Sequence, residues 1–120
     1  MRPILYAWNF APERAKALRE ICGVLSVTLR PVAPQEAPLL LGRLPEKPPA
    51  AGPARMPFDG EMLLMAGFPD PLTDALLTQL RRHGLTVPRK AVLTPVNALW
   101  DSVTLFRELS REAERHGAPK

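Results

Sequence analysis

The sequence predicts an α/β protein: a single three-layer domain built on a mostly parallel four-stranded sheet. Three observations support this. Short apolar runs of strand length alternate with segments whose apolar residues recur every three or four positions. Proline and glycine residues separate the two kinds of segment, and 120 residues suit one domain. Alternating strands and helices favour parallel strands with right-handed crossovers, here in the order β-α-β, long loop, β-α-β-α.

The first β-α-β unit is expected over residues 1–32. Residues 4–8 read Ile-Leu-Tyr-Ala-Trp, an apolar run typical of a strand buried on both faces. Pro12 suits the first position of a helix, and the apolar residues between 15 and 25 keep helical spacing. The run at 27–29 predicts a second strand, which completes a unit of the usual β-α-β length.

A proline-rich crossing loop is expected over residues 33–60. Eight of the fifteen prolines lie between residues 31 and 57. Proline removes backbone donors and favours extended chain, so this segment is predicted to cross the surface without a long helix. It is interpreted as a tolerated surface insertion, and the alternative is a recognition segment for a partner with an aromatic groove.

The second unit, β-α-β-α, is expected over residues 61–116. Residues 62–66 predict a buried strand, and Asp70 followed by Pro71 predicts a helix start with Asp70 as N-cap. Gly84 supplies the left-handed residue that ends such a helix. The last of the four predicted strands, also a core strand, follows at residues 91–93.

A last helix is predicted after this strand, capped by Asn97 or by Asp101. Its apolar face is predicted to hold Val103, Phe106, Leu109 and Ala113. The two units resemble a weak structural repeat, although no repeat of individual residues is visible. The expected spatial order of the strands is 2-1-3-4.

Ligands of open parallel sheets bind beyond the carboxyl ends of the strands, where the strand order reverses. The sequence therefore predicts a binding site for a small polar ligand or a protein partner at that rim. In the alternative interpretation, Asp70 and Asn97 are ordinary helix caps and Trp100 is a core aromatic residue. The predicted ligand-binding residues are Asn9, Phe10, Gly67, Phe68, Asp70, Thr94, Asn97 and Trp100.

No pattern indicates a cofactor, a metal site or a catalytic group. Cys22 is the single cysteine and falls in an apolar helical stripe, which predicts a buried, inert thiol. The turn after the first strand lacks the glycines of a dinucleotide site, and no Walker-type phosphate loop occurs. The sequence thus favours a non-catalytic binding or regulatory module.

Two other functions remain as alternatives. A small enzyme would use a rim carboxylate, Asp70 or Asp101. A nucleic-acid binder would use Arg81, Arg82, His83, Arg89 and Lys90. The net charge of +4 is spread along the chain, which makes nucleic acid an unfavoured partner.

The length of the apolar stretches and the start of the sequence indicate where the protein is found in the cell. No stretch approaches the roughly 20 apolar residues of a membrane span, and no secretory pattern begins the sequence, so a cytoplasmic protein is expected. A homodimer formed through an edge strand or the last helix is compatible with the pattern.

Residues 90–100, Lys-Ala-Val-Leu-Thr-Pro-Val-Asn-Ala-Leu-Trp, follow a strand and a leucine-rich helix and precede a charged helix. Over residues 61–115 the chain resembles a family of small prokaryotic, including bacterial, proteins known as domain of unknown function 3783. Thr94, Asn97 and Trp100 match its Thr-x-x-Asn-x-x-Trp pattern. Many members carry an acidic residue where this chain has Pro95, which puts any activity that depends on the acid in doubt. The resemblance implies the architecture and no substrate, cofactor or mechanism.

Overall fold

A computed structural model of the chain describes residues 2–50, 52 and 54–115. It contains four strands, β1 (Ile4–Trp8), β2 (Thr28–Pro31), β3 (Met62–Ala66) and β4 (Lys90–Val92), and three α-helices, α1 (Pro12–Leu25), α2 (Asp70–Arg82) and α3 (Ser102–Arg115). Short 3₁₀ turns occupy Pro34–Glu36, Leu41–Arg43 and Asn97–Leu99. Residue 116, the predicted end of the second unit, lies outside the described residues.

The sheet has the predicted strand order, β2-β1-β3-β4, but it is mixed rather than mostly parallel. Strand β1 runs parallel to β2, and β3 runs parallel to β4. The two central strands are antiparallel, with Ile4 beside Ala66 and Trp8 beside Met62. The prediction of a mostly parallel sheet is therefore wrong at one junction. The long connection between β2 and β3 accounts for this, because a chain of that length can return to the sheet in either direction.

Each face of the sheet is covered by its own core. Leu5 of β1 and Leu63 of β3 point to the face covered by α1 and α2, where Leu18 and Leu76 are fully buried. Trp8 and Leu64 point to the opposite face, which is covered by α3 and by Leu41, Leu44, Met56 and Phe58 of the long connection. Because both faces are covered, the central strands carry apolar residues at nearly every position.

Helix boundaries follow the local signals with one difference, at the start of α2. Pro12 begins α1 as predicted, and Gly84 adopts a positive φ of 66° after α2. Asp70 is the first helical residue of α2 rather than its N-cap, because the cap position is held by Pro69, whose side chain has no hydrogen-bonding group. Asp101 caps α3 by accepting a hydrogen bond from the Thr104 amide at 2.8 Å.

The inward face of α3 is rotated relative to the prediction. Leu105 and Leu109 are buried, whereas Val103 is exposed. Ser102 lies at the first position of the helix and is buried against Trp8, which rotates the neighbouring Val103 outward. Within the described part of the chain, no helix is long and apolar enough to cross a lipid bilayer.

Candidate functional site

The antiparallel pairing of β1 and β3 divides the predicted rim between two edges of the sheet. Strands β1 and β2 end at what we name the first edge, where β3 and β4 begin. Strands β3 and β4 end at the second edge, on the other side. Asn9 and Phe10 lie at the first edge, and the other six predicted residues follow strands that end at the second. The predicted residues do not meet in one cleft.

At the first edge, the side chain of Asn9 is used to hold the chain together. Asn9 has a positive φ of 66°, a conformation that asparagine tolerates better than most residues. Its Nδ2 donates to the carbonyl oxygens of Phe58 at 2.9 Å and Gly60 at 3.0 Å. These bonds tie the end of β1 to the chain that leads into β3.

A small crevice of about 220 Å³ opens beside Asn9, between the ends of β1 and β2 and helix α1. Phe10 contributes to its wall and packs against the core beneath α1. Arg19 contributes a charged group to the wall. The lining residues are Ala7, Asn9, Phe10, Ala15, Leu18, Arg19, Leu29, Pro31 and Val32.

At the second edge, Thr94 and Asn97 form a closed turn. The Asn97 Oδ1 accepts from the Thr94 amide at 2.8 Å, and the Thr94 hydroxyl accepts from the Asn97 amide at 3.1 Å. The Asn97 Nδ2 donates to the carbonyl oxygen of Val92 at 3.0 Å. Asn97 is buried, and its amide is committed to the backbone. The side chain therefore shapes the turn, because its oxygen and its nitrogen each bond to a backbone group.

The apolar side chains of the same turn point outward. Val96 is 65% exposed and Leu99 is 71% exposed, although Asn97 between them is 7% exposed. The segment before the second 3₁₀ turn lies alongside, because the Leu41 amide donates to the Trp100 carbonyl at 2.8 Å. That segment and the start of α3 add further exposed apolar side chains. We name as the apolar patch the set Leu39, Leu40, Val96, Leu99 and Val103.

The remaining predicted residues at the second edge lie on both sides of the sheet. Phe68 packs against the core beneath α1 and α2, whereas Trp100 packs against the core beneath α3. Gly67 has a φ of 74°, which explains the glycine at the end of β3. Asp70 is exposed in the first turn of α2. The sheet itself separates the two aromatic rings, so they cannot clamp one ligand.

Residues 61–115 match the family model of a domain of unknown function, DUF3783. This confirms the resemblance predicted from the sequence over the same residues. The DUF3783 segment runs from the residue before β3 to the end of α3 and includes the Thr94–Asn97 turn. No curated protein and no solved structure matches the chain.

Asp70 and Asp101 are the two carboxylates predicted as catalytic candidates. In the contacts of the described residues, neither lies against a second titratable group. Asp101 is occupied as the cap of α3, and Asp70 is exposed. Among residues 2–50, 52 and 54–115, no three His, Cys, Asp or Glu side chains lie close enough together to hold a metal ion.

The basic residues of the DUF3783 segment are spread over both faces of the sheet. Arg89 stacks over the Phe106 ring at 4.4 Å and donates from Nε to the Ser110 hydroxyl at 2.8 Å. Lys90 turns to the other face and donates to the Val87 carbonyl, and burial there lowers the pKa of its ammonium group. These two side chains are held inward rather than offered to a phosphate backbone.

A crevice of about 360 Å³ lies beside Lys90, between the C-terminal half of α2 and the start of β4. Its walls are mainly apolar, from Leu77, Leu80, Leu85 and Val87. Sequence reasoning missed this crevice and the apolar patch. The exposure of Val96 and Leu99 could have been predicted only from a prediction that Asn97, which lies between them in the sequence, is buried.

Proposed function

We propose that the chain is a non-catalytic binding module that recognises a partner protein through the apolar patch at the second edge. The inverted burial of the Thr94–Asn97 turn carries this proposal. A turn normally exposes its polar side chains, yet here Asn97 is buried while Val96 and Leu99 face solvent. Exposed apolar side chains that cluster on adjoining segments are typical of an interaction site.

The patch is held rigid before any partner arrives. Three hydrogen bonds of the Asn97 side chain and backbone fix the turn that carries Val96 and Leu99. The Ser102 amide donates to the Ala37 carbonyl at 3.2 Å, which fixes the segment that carries Leu39 and Leu40. A preorganised surface loses little conformational entropy on binding, so a small contact area can still give useful affinity.

The size of the patch favours a short segment of the partner over a permanent dimer of this chain. A stable protein–protein interface uses about 20–30 residues and about 800 Å² on each side. The apolar patch offers five side chains, and two of them, Leu39 and Leu40, are about 40% exposed. A reversible contact with one helix or one extended stretch fits such an area.

Charges at the border of the patch indicate the kind of segment. Arg43 lies three residues after Leu40 in a 3₁₀ turn, and Arg107 lies four residues after Val103 in α3. Both guanidinium groups are exposed, and neither is in a salt bridge with any described residue. Complementary charge steers encounters and selects partners. The proposed ligand is therefore an amphipathic segment with apolar residues on one side and carboxylates beside them.

Fluorescence anisotropy with a labelled amphipathic helical peptide of leucine and glutamate tests this proposal. We expect the wild-type chain to bind this peptide, and to bind a matched leucine and lysine peptide at least tenfold more weakly. Leu99→Ser should weaken binding to the acidic peptide several-fold, because it removes apolar contact area. Val24→Ser is the matched control, since Val24 is 74% exposed on α1, outside the patch. Equal binding by wild type and Leu99→Ser would overturn the proposal.

A small ligand at the first edge is a second candidate, favoured by one observation. The crevice of about 220 Å³ is lined by Asn9 and Phe10, which the sequence predicted as ligand-binding residues, and by the cation Arg19. A small acid with an apolar body matches that wall. A thermal-shift screen of such acids tests it: stabilisation that is lost in Arg19→Gln supports this site, and no stabilisation by any acid rejects it.

A further inference from the structure

The backbone holds a repeat that the amino-acid types conceal. In the described part of the chain, four residues have a positive φ: Asn9 at 66°, Ser26 at 58°, Gly67 at 74° and Gly84 at 66°. Asn9 precedes Gly67 by the same number of residues as Ser26 precedes Gly84. Asn9 and Gly67 each follow a central strand, and Ser26 and Gly84 each follow the helix after that strand. Positive φ is rare outside glycine, so this coincidence of position requires an explanation.

The central strands obey the same relation. Tyr6 faces Leu64 across the β1–β3 pair, and these two residues have the same separation along the chain as Asn9 and Gly67. Placing β1 on β3 and β3 on β1 puts Ile4 on Met62 and Ala66 on Trp8, so the pair Ile4–Ala66 falls on the pair Met62–Trp8. A two-fold axis perpendicular to the sheet therefore passes between Tyr6 and Leu64.

The helix ends are equivalent as well. The Val27 amide donates to the Cys22 carbonyl at 2.9 Å after α1, and the Leu85 amide donates to the Leu80 carbonyl at 2.9 Å after α2. Beyond these points the second unit has three extra residues, and then the correspondence resumes. The Val32 amide donates to the Ala7 carbonyl at 2.9 Å, and the Leu93 amide donates to the Met65 carbonyl at 2.8 Å.

The turns that follow β2 and β4 share one hydrogen-bonding scheme. The Ala33 amide donates to Glu36 Oε1 at 2.8 Å, just as the Thr94 amide donates to Asn97 Oδ1 at 2.8 Å. Each acceptor lies three residues after its donor and directly after a Pro-x pair, in a short 3₁₀ turn. Glu36 and Asn97 hold equivalent positions.

The two turns complete that scheme with different chemistry. Asn97 also donates, through Nδ2, to the Val92 carbonyl. A carboxylate cannot donate, and in the first unit the donor to the equivalent Pro31 carbonyl is the Arg30 guanidinium, at 2.6 Å. Arg30 is in turn paired with Glu36, with Nη1 to Oε1 at 2.8 Å. In the first unit, the buried Arg30–Glu36 ion pair thus accepts from a backbone amide and donates to a backbone carbonyl. In the second unit, the Asn97 side-chain amide makes both of these hydrogen bonds.

We infer that the chain is an internal duplication, in which the residues before about 55 are a diverged copy of the DUF3783 segment. The β1–β3 junction is then the surface by which one copy binds a second copy. In the first copy, the place of α3 in the sequence is taken by a proline-rich segment, and residues 45–50 of it form no regular helix. A single copy would leave its first strand with an open edge, and pairing with another copy about a two-fold axis closes it.

The equivalence of Glu36 and Asn97 is tested by transplanting the amide in the full chain. Glu36→Asn alone and Arg30→Met alone should each lower the urea midpoint strongly, since each leaves a buried charged partner unpaired. The double variant Arg30→Met/Glu36→Asn should regain most of the loss, because the new amide can accept from Ala33 and donate to Pro31.

The matched control is Arg30→Met/Glu36→Leu, which also removes both charges but leaves the Ala33 amide and the Pro31 carbonyl without these partners. We expect a lower urea midpoint for this control than for the amide variant. Equal midpoints for the two double variants, or an amide double variant that fails to fold, would overturn the equivalence of the two turns.

The pairing of the two units through the β1–β3 junction is tested by cleaving the chain that connects them. A protease site placed between Lys47 and Pro48, which are exposed and outside regular structure, allows cleavage of the folded chain. We expect the two fragments to co-elute as a one-to-one complex in size-exclusion chromatography. Leu64→Arg, on the two-fold axis, should release them on cleavage, whereas Val24→Arg, at an exposed position, should not. Separation of the wild-type fragments on cleavage would show that the junction does not hold two units together.

Discussion

The indole N–H of Trp8 donates to the hydroxyl of Ser102 at 3.0 Å, with both side chains fully buried. Trp8 ends β1, and Ser102 begins α3. The bond therefore fastens the first residue of the last helix to a central strand far away in sequence. It also explains why Val103, next in the helix, faces outward and joins the apolar patch.

Loss of this bond should destabilise the protein. Ser102→Ala leaves the indole N–H buried without this partner, which costs about 1–3 kcal/mol in the free energy of unfolding. Urea denaturation followed by tryptophan fluorescence measures it. Trp8→Phe/Ser102→Ala should be less destabilised than the sum of the two single variants, because the phenyl ring needs no acceptor. Strict additivity would show that the bond contributes no coupling energy.

Two glycines near helix ends should respond to alanine in opposite directions. Gly23 lies inside α1 with open space where a Cβ would be placed, so Gly23→Ala should stabilise by about 0.5–1 kcal/mol. Gly84 has a φ of 66°, where a side chain is strained, so Gly84→Ala should destabilise by about 1 kcal/mol. Thermal melts of the two variants beside wild type measure both signs, and a shift of both melting temperatures in the same direction would contradict the backbone assignment.

The buried Glu36 should make stability fall in acid. Burial raises the pKa of Glu36, but hydrogen bonds from Arg30 and the Ala33 amide and the charge of Arg30 lower it, and the balance lies below the ordinary value of 4.5. Since the folded pKa is below the unfolded one, the carboxylate stabilises the fold above pH 4.5, and this contribution disappears as the pH falls through the folded pKa. Urea midpoints measured from about pH 7 to about pH 2 should show it.

Glu36→Gln is the control for that titration, because the amide keeps the shape and cannot ionise. Its midpoint should be lower than that of wild type at neutral pH and should approach the wild-type value in acid. A constant difference between the two proteins across the whole range would exclude Glu36 as a contributor to the acid dependence.

The Cys22 thiol should be inert in the folded protein. It is 2% exposed, and burial raises its pKa to about 11 from an ordinary 9.0. Iodoacetamide at about pH 8 should modify it only as urea unfolds the chain. Because the folded pKa is the higher one, stability should also fall as the pH rises from 9 towards 11. Rapid alkylation without denaturant would show that α1 opens locally around Cys22.

Much of the fold could be predicted because its signals are local. Apolar runs at residues 4–8 and 62–66, Pro12 at a helix start and Gly84 at a helix end all act within a few residues of their own positions. The neighbours β1–β2 and β3–β4 followed from the two β-α-β units, whose connections place consecutive strands side by side. The buried Cys22 followed from helical spacing alone.

The candidate site was less predictable, because it depends on which polar groups the fold has already used. Asn9 and Asn97 carry side-chain amides of the kind that bind polar ligands, yet each amide donates to backbone carbonyl oxygens of this chain. The apolar patch could not be predicted from the sequence, because only the structure shows that apolar residues such as Leu39 and Leu99 are exposed. Exposure of apolar residues in turns depends on how the whole chain packs, and the local sequence does not indicate it.

The sequence by itself determined the strands, the helices, their order and the resemblance to DUF3783 over residues 61–115. Only the tertiary structure decided the direction of β3 relative to β1, because a strand buried on both faces has the same apolar pattern whichever way it runs. That direction moved Asn9 and Gly67 to opposite edges and created the two-fold axis between Tyr6 and Leu64. Pairing across a long connection is set by how two preformed units fit together, and that fit is a property of surfaces that exist only after folding.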